Sequence, residues 1–156
     1  MPAPDYCTPA LKSFVTYFES LTPQSLHEID QFYTPQAQFK DPFNDTTGID
    51  ALRVIFEDMF EQLHEPAFRV IEVIEQTDQP PAQQHQAFLV WDFTFRFKSF
   101  RQSTPQRIRG SSHITFDPAG QVREHQDYWD AAGELYAKIP VLGVMIRWLR
   151  NRLSVG

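Results

Sequence analysis

One carboxylate stands among aromatic residues in the segment QFYTPQAQFKDPF, residues 31–43. Asp41 precedes Pro42 and lies between Phe39 and Phe43. An aspartate at such a position often caps backbone N–H groups in a turn. A carboxylate held in an aromatic pocket can instead accept a proton and act as a general base. Both interpretations of Asp41 stay open at this point.

A second group of residues able to move a proton lies in REHQDYW, residues 123–129. Side chains alternate along a strand, so His125, Asp127 and Trp129 share one face. An aspartate beside a histidine can orient it as a base or a proton shuttle. This face either lines a pocket or meets a dimer partner across the open side of the sheet.

The preceding strand, residues 107–116, is joined to this one by the turn DPAG. If Asp117 pairs with Gly120, then Ser112 lies opposite His125, and the two form a cluster with the aspartate that follows the histidine. A Ser-His-Asp hydrolase is not expected from this cluster, because no G-x-S-x-G turn is present.

A longer turn would bring different residues together. If Gly120 is a left-handed bulge residue, Gln121 closes the turn and His113 lies opposite His125. Those two histidines could hold a metal with Asp127. The sequence has no H-x-x-x-H or paired-cysteine spacing, however, so we expect no metal site.

Three helices are expected ahead of these strands. Thr8-Pro9 and Thr22-Pro23 each combine an N-cap residue with a proline at the first helical position, and Thr47-Gly48 begins a third helix. Apolar residues at helical spacing follow each start. They are Leu11, Phe14, Val15, Phe18 and Leu21, then Leu26, Ile29 and Phe32, then Ile49, Leu52, Ile55, Phe56, Met59, Phe60 and Leu63.

Alternating patterns predict strands elsewhere. A short strand ends at Asp41, and a meander of four strands begins after Pro66. The longest strand, residues 87–100, has aromatic residues on one face and Phe88, Val90 and Thr94 on the other, so neither face is fully polar. We therefore predict an α+β domain with helices on one face of the sheet and a homodimer partner on the other.

Composition limits the function classes. The chain has 156 residues, one cysteine and a net charge of −6, which fits one domain and argues against a general nucleic-acid binder. No secretory signal and no apolar run of membrane-spanning length is evident, so we expect a cytoplasmic protein. From Lys138 onward the chain has four basic residues and no acidic one, which leaves −10 on the rest.

The C-terminal tail, residues 131–153, contains this basic segment and is predicted to be helical with an apolar stripe. We expect the stripe to cover the pocket mouth, with arginines meeting Asp58 or Glu61 on the third helix. Contact with a membrane is the less favoured alternative. The stripe comprises Leu142, Met145, Ile146, Leu149 and Leu153.

The order of two helices, a short strand ending in F-x-D-P, a helix that follows glycine and a meander resembles the nuclear transport factor 2-like superfamily. Its SnoaL-like and ketosteroid isomerase-like branches are the most similar. The resemblance covers about Thr8 to Tyr136, and it treats residues 1–156 as one domain. It implies a cone, in which a curved and mostly antiparallel sheet wraps around three N-terminal helices and leaves a deep apolar pocket.

The resemblance also implies site residues. Asp41 matches the general base of the ketosteroid isomerase branch, and ungapped counting places Tyr17 at its oxyanion-stabilising tyrosine. Ser112 stands where that branch has a protonated aspartate, which favours the first turn register, and His125 with Asp127 would be a second acid–base pair. The implied ligand contacts are Phe39, Phe56, Phe60, Ile114, Phe116 and Trp129. We predict that Asp41, Tyr17, Ser112 and Trp129 line one cavity.

The implied activity is cofactor-independent proton transfer on an apolar carbonyl compound, as in an isomerase or cyclase. A binding or dimerisation module without chemistry is the alternative, because this fold hosts both. A site like that of limonene epoxide hydrolase, built from Asp92, Arg109 and Asp127, is a second alternative. Its competing interpretation is an ion pair of Asp92 with Arg107 or Arg109 across two strands.

Overall fold

The computed structural model describes residues 8–76, 85–99, 102–138 and 140–153. The described elements are helices and the strands of a single sheet. In chain order they are α1 (Pro9–Glu19), a 3₁₀ helix (Ser25–Gln31), β1 (Tyr33–Lys40), β2 (Asp45–Thr47), α2 (Ile49–Gln62), β3 (Leu63–Glu75), β4 (His85–Phe97), β5 (Gln106–Phe116), β6 (Val122–Trp129), α3 (Ala131–Glu134), a 3₁₀ helix (Tyr136–Lys138) and α4 (Pro140–Leu153).

The helix starts follow the capping signals. Thr8 caps α1 by accepting a hydrogen bond from the Leu11 N–H, and proline follows it as expected. The second predicted helix is a seven-residue 3₁₀ helix, preceded by a turn in which Thr22 and Ser25 bond each other's backbone N–H groups. Gly48 precedes α2 with a φ of 101°, a conformation that suits glycine.

The six strands form one open sheet in the order β2-β1-β6-β5-β4-β3. Neighbouring strands are antiparallel except β1 and β6, which run parallel with Phe39 opposite His125. The α+β class and the curved, mostly antiparallel sheet are confirmed. The short strand β2 and the parallel pairing were not expected. β2 has only three residues and pairs with β1 just before it, whereas β1 and β6 are distant in sequence.

The register of the β5–β6 hairpin differs from both expectations. Gly120 has a φ of 87°, and the Asp117 N–H bonds the Gln121 carbonyl, as the longer turn requires. A second irregularity between Thr115 and Phe116 then shifts the pairing again, so that Ser112 lies opposite Asp127. The favoured register is therefore wrong by two residues, a shift that leaves the same side chains on the inner face.

The inner face of the sheet and the helices α1 and α2 enclose the core. Leu89, Trp91, Phe93, Phe95 and Phe97 of β4 point into it. Phe88 on the outer face is 43% exposed, so the two faces of β4 differ as the alternation predicts.

The expected position of helix α4 over the pocket mouth stays a prediction, since only part of its apolar stripe is described. Met145 and Leu153 of the predicted stripe are 57% and 73% exposed, and Arg147 donates to the Ala137 carbonyl. The side chains of Leu142, Ile146 and Leu149 lie outside the described residues. No described ion pair joins α4 to Asp58 or Glu61, and no described helix has the length and apolar character needed to cross a membrane.

Candidate functional site

A cavity of about 420 Å³ lies between α2 and the inner face of the sheet. Its described lining is mostly aromatic and aliphatic, with a few polar side chains. Of the expected ligand contacts, Phe39, Phe56 and Trp129 line it. The other three do not: Phe60 is half-buried against the core, and Ile114 and Phe116 lie within the core.

Asp127 brings a carboxylate to the cavity wall. Ser112 donates to its Oδ1 at 2.5 Å, and His125 Nε2 lies 2.7 Å from the same oxygen. Its side chain is 11% exposed, whereas Ser112 and His125 are fully buried behind it. The expected Ser112, His125 and Asp127 cluster therefore exists, although it forms in a different register.

The hydrogen-bond network assigns the donor at each step. Trp91 Nε1 donates to Ser112 Oγ at 2.8 Å, so the serine hydroxyl is oriented to donate to Asp127. Tyr33 Oη lies 2.7 Å from His125 Nδ1. With the proton on Nε2, His125 donates to Asp127 and accepts from Tyr33, so both ring nitrogens of His125 have a hydrogen-bond partner.

Tyr33 was not predicted from the sequence. It is buried at the start of β1, and its ring stacks parallel to the His125 ring at an interplanar angle of 7°. Burial raises the pKa of Tyr33 well above its ordinary value, and the negative charge of Asp127 raises it further. Only the parallel β1–β6 pairing brings the two rings together, and the local sequence carries no signal for that pairing.

Asp41 lies at the edge of the cavity and caps a turn. Its Oδ1 accepts from the backbone N–H groups of Phe43 and Asn44, both at 2.7 Å. The Asn44 side-chain amide contacts both carboxylate oxygens at 3.1 Å. These contacts are those of a residue that caps a turn. Asp41 also lines the cavity, so it would lie next to a bound ligand.

Tyr17 lies outside the cavity, so the prediction that it shares a cavity with Asp41 is wrong. Its hydroxyl donates to the Ser25 carbonyl at 2.9 Å, and its ring stacks on Phe32 with centroids 4.0 Å apart. Burial, followed by the charge of Glu28, raises the pKa of Tyr17 to about 12. These contacts hold the tyrosine against the 3₁₀ helix and away from Asp127. Ser112 is also not a lining residue, because Asp127 and Trp91 lie between it and the cavity.

Asp92 and Arg109 form an ion pair on the outer face of the sheet. Arg109 donates twice to the carboxylate, at 2.8 and 3.0 Å, and Arg107 lies 3.6 Å away. This hydrogen bonding lowers the pKa of Asp92 and raises that of Arg109. Because Asp127 is on the inner face, the three residues of the epoxide-hydrolase alternative are not brought together. That alternative is wrong in its geometry.

His113 also lies on the outer face, where it stacks on Phe88 and bonds Gln86. The metal-binding alternative required His113 to lie opposite His125, but His113 lies opposite Gln126 instead. Within the described ranges, no group of three or more His, Cys, Asp or Glu side chains is arranged to hold a metal ion.

The SnoaL-like domain model matches residues 14–125. Among solved structures, a Catenulispora acidiphila protein of ketosteroid isomerase-like fold, in complex with trimethylamine, aligns with a TM-score of 0.65 at 11% identity, over 83% of this chain and 92% of its own. A protein of unknown function from Burkholderia pseudomallei aligns with a TM-score of 0.65 at 12% identity, over 90% and 97%.

A candidate SnoaL-like polyketide cyclase from Shewanella putrefaciens aligns with a TM-score of 0.63 at 16% identity, over 83% of this chain and 87% of its own. At these identities the structural likeness shows the fold alone. No curated protein is similar enough in sequence to count as a match.

Proposed function

Since the chain belongs to the SnoaL-like domain family, whose fold is nuclear transport factor 2-like, we propose that it binds an apolar small molecule in its cavity and transfers a proton at Asp127. The reaction class is that of a cofactor-independent isomerase or cyclase. The substrate is an apolar compound with a C–H bond made acidic by a neighbouring carbonyl group.

The observation that carries this proposal is the arrangement of donors around Asp127. Both hydrogen bonds to the carboxylate arrive at Oδ1 from the buried side, and Oδ2 has no partner among the described residues. A carboxylate with one free oxygen at the wall of an apolar cavity is suited to accept a proton from a bound molecule. Asp127, rather than Asp41, is therefore the proposed base.

The residues behind Asp127 act as positioning residues. Trp91 fixes the Ser112 hydroxyl, and Tyr33 fixes the tautomer of His125, so both donors point at the same carboxylate oxygen. Donors that are already aligned need not reorganise when the charge on the carboxylate changes. We propose that Ser112 and His125 likewise position the Asp127 carboxylate and do not contact the substrate.

Deuterium exchange tests the proposal without knowledge of the natural substrate. An apolar ketone such as 2-tetralone is incubated with the protein in D₂O, and the mass of the recovered ketone is measured. Asp127 would take the α-proton, exchange it with solvent and return a deuteron. We expect exchange above the buffer rate, and its loss in Asp127→Asn, which keeps an acceptor oxygen for Ser112 and His125.

The matched control is Asp50→Asn, which removes the same charge from an exposed position on α2 outside the cavity. It should exchange the ketone as the unaltered protein does. Equal exchange by Asp127→Asn and Asp50→Asn would remove Asp127 as the base.

A binding protein without chemistry is the second candidate. The contacts of Asp41 favour it, because the carboxylate at the base position of the ketosteroid isomerase branch is occupied in capping a turn. In that case the ketone would quench the fluorescence of Trp91 or Trp129 but would not incorporate deuterium.

We also propose that the protein forms a homodimer through the outer face of the sheet. Ile74, Phe88 and Tyr128 are 65%, 43% and 50% exposed on that side, which gives the face apolar surface that a second subunit would cover. Sedimentation at micromolar concentration should give twice the mass of 18.2 kDa. A monomer at that concentration, or a dimer unaffected by Phe88→Lys, would contradict this interface.

A further inference from the structure

The charged side chains that line the cavity are all acidic. Asp41, Asp58 and Asp127 contribute to the described lining, which contains no lysine, arginine or histidine. Lys98 lies in sequence between the lining residues Phe97 and Ser99, but it is not itself a lining residue, and its ammonium group donates to the Phe60 carbonyl. The described wall therefore carries negative charge with no basic side chain to balance it.

The acidic side chains differ in how many hydrogen-bond or ion-pair partners their carboxylates have. Asp127 is largely buried, and Oδ2 has no described partner. A carboxylate at the wall of a mostly apolar cavity loses hydration when a ligand fills the cavity, and a ligand group of opposite charge offsets that cost. Asp58 is exposed at the rim, where no described residue forms an ion pair with it. Both carboxylates are thus available to a bound molecule.

Aromatic rings supply the rest of the wall. Phe39, Phe56, Phe68, Phe93, Trp91 and Trp129 are lining residues. The face of an aromatic ring attracts a cation, most strongly for tryptophan, and this attraction grows when the site is shielded from water. An anionic ligand would meet the three carboxylates, and the described lining offers it only neutral donors such as Ser99 and Gln62.

We propose that the cavity selects an apolar organic cation, a molecule with a tertiary or quaternary ammonium group on a hydrocarbon body. This inference rests on the proposed use of the cavity for ligand binding, and it specifies the charge of the ligand. A volume of about 420 Å³ lies within the range of small-molecule sites, so the body can be as large as one or two rings.

Two probes of nearly the same shape test the charge. Benzyltrimethylammonium carries a quaternary nitrogen, and neopentylbenzene replaces that nitrogen with carbon. Binding is measured by quenching of tryptophan fluorescence, since two tryptophans line the cavity. We expect the cation to bind about tenfold more tightly, as a cation–π contact and one nearby carboxylate would give.

Variants locate the selectivity. Asp127→Asn should reduce the preference for the cation severalfold, and Asp50→Asn, an exposed position outside the cavity, should leave it unchanged. The melting temperature of each variant shows that it is folded. Loss of preference in Asp127→Asn alone would support the inference.

Three outcomes would overturn it: equal affinity for the two probes, tighter binding of the neutral probe, or no binding of the cation. A preference for the cation that survives in both Asp127→Asn and Asp41→Asn would also overturn it, because neither of these carboxylates would then be responsible for the preference. Failure of the proton-transfer proposal gives a different result, namely unchanged deuterium exchange in Asp127→Asn, so the two ideas can fail separately.

Discussion

Replacing His125 with leucine is expected to lower the free energy of unfolding by about 2–6 kcal/mol, because two polar groups, the Tyr33 hydroxyl and the Asp127 carboxylate, each lose a hydrogen-bond partner at about 1–3 kcal/mol. His125 is 1% exposed and joins Tyr33 to Asp127. Leucine would leave the tyrosine hydroxyl without its acceptor and the carboxylate with one donor fewer. Denaturant unfolding followed by circular dichroism measures the change.

His113→Leu is the matched control. His113 lies on the neighbouring strand but on the outer face, where it contacts Phe88 and Gln86. We expect its loss to cost less than about 1 kcal/mol, as for one partly exposed hydrogen bond. If the two variants lose equal stability, the buried network does not contribute as described. The double variant His125→Leu/Asp127→Asn should lose less stability than the sum of the two single changes, because His125 and Asp127 are in contact.

Gly110→Ala is expected to destabilise the protein by about 1–3 kcal/mol through overpacking. A Cβ atom at Gly110 would lie 2.7 Å from Cζ2 and 2.9 Å from Cζ3 of Trp91, distances too short for carbon atoms. The indole would have to shift, and with it the N–H that orients Ser112. We expect a lower melting temperature together with a changed tryptophan emission spectrum.

Trp91→Phe should partly rescue the alanine variant, because the smaller ring leaves room for the added methyl group. Ser111→Ala, at the next position of β5 but on the outer face, should change the melting temperature little. A Gly110→Ala variant as stable as the unaltered protein would show that Trp91 can move without cost. The position of the indole would then not require glycine at residue 110.

The helices and the inward-facing residues follow from local rules. Thr8 caps α1, and the alternation along β4 and β6 places Trp91, His125 and Asp127 on the inner face. Face assignment is robust because a shift of two residues conserves it. For that reason the Ser112, His125 and Asp127 cluster could be predicted, although the pairing of Ser112 could not.

Contacts between distant segments could not be predicted in the same way. Counting back along the chain from Asp41 pointed to Tyr17, but its hydroxyl donates to Ser25, and Tyr33 reaches the histidine instead. The choice depends on which way α1 rotates against the sheet and on the parallel pairing of β1 with β6. Neither leaves a periodic signal in the sequence, so the second tyrosine was missed.

The parallel pairing of β1 and β6 also has a consequence for the order of folding. Tyr33 and His125 are 92 residues apart, yet their contact completes the buried network. β1 lies between β2 and β6, so it lacks one neighbour until the last strand has been synthesised. Contacts between distant parts of a chain form slowly because a long loop must close first. We therefore expect α1, α2 and the β3–β5 meander to assemble before the network of Tyr33, His125 and Asp127. The nascent chain would complete that network only when β6, through Trp129, has left the ribosome.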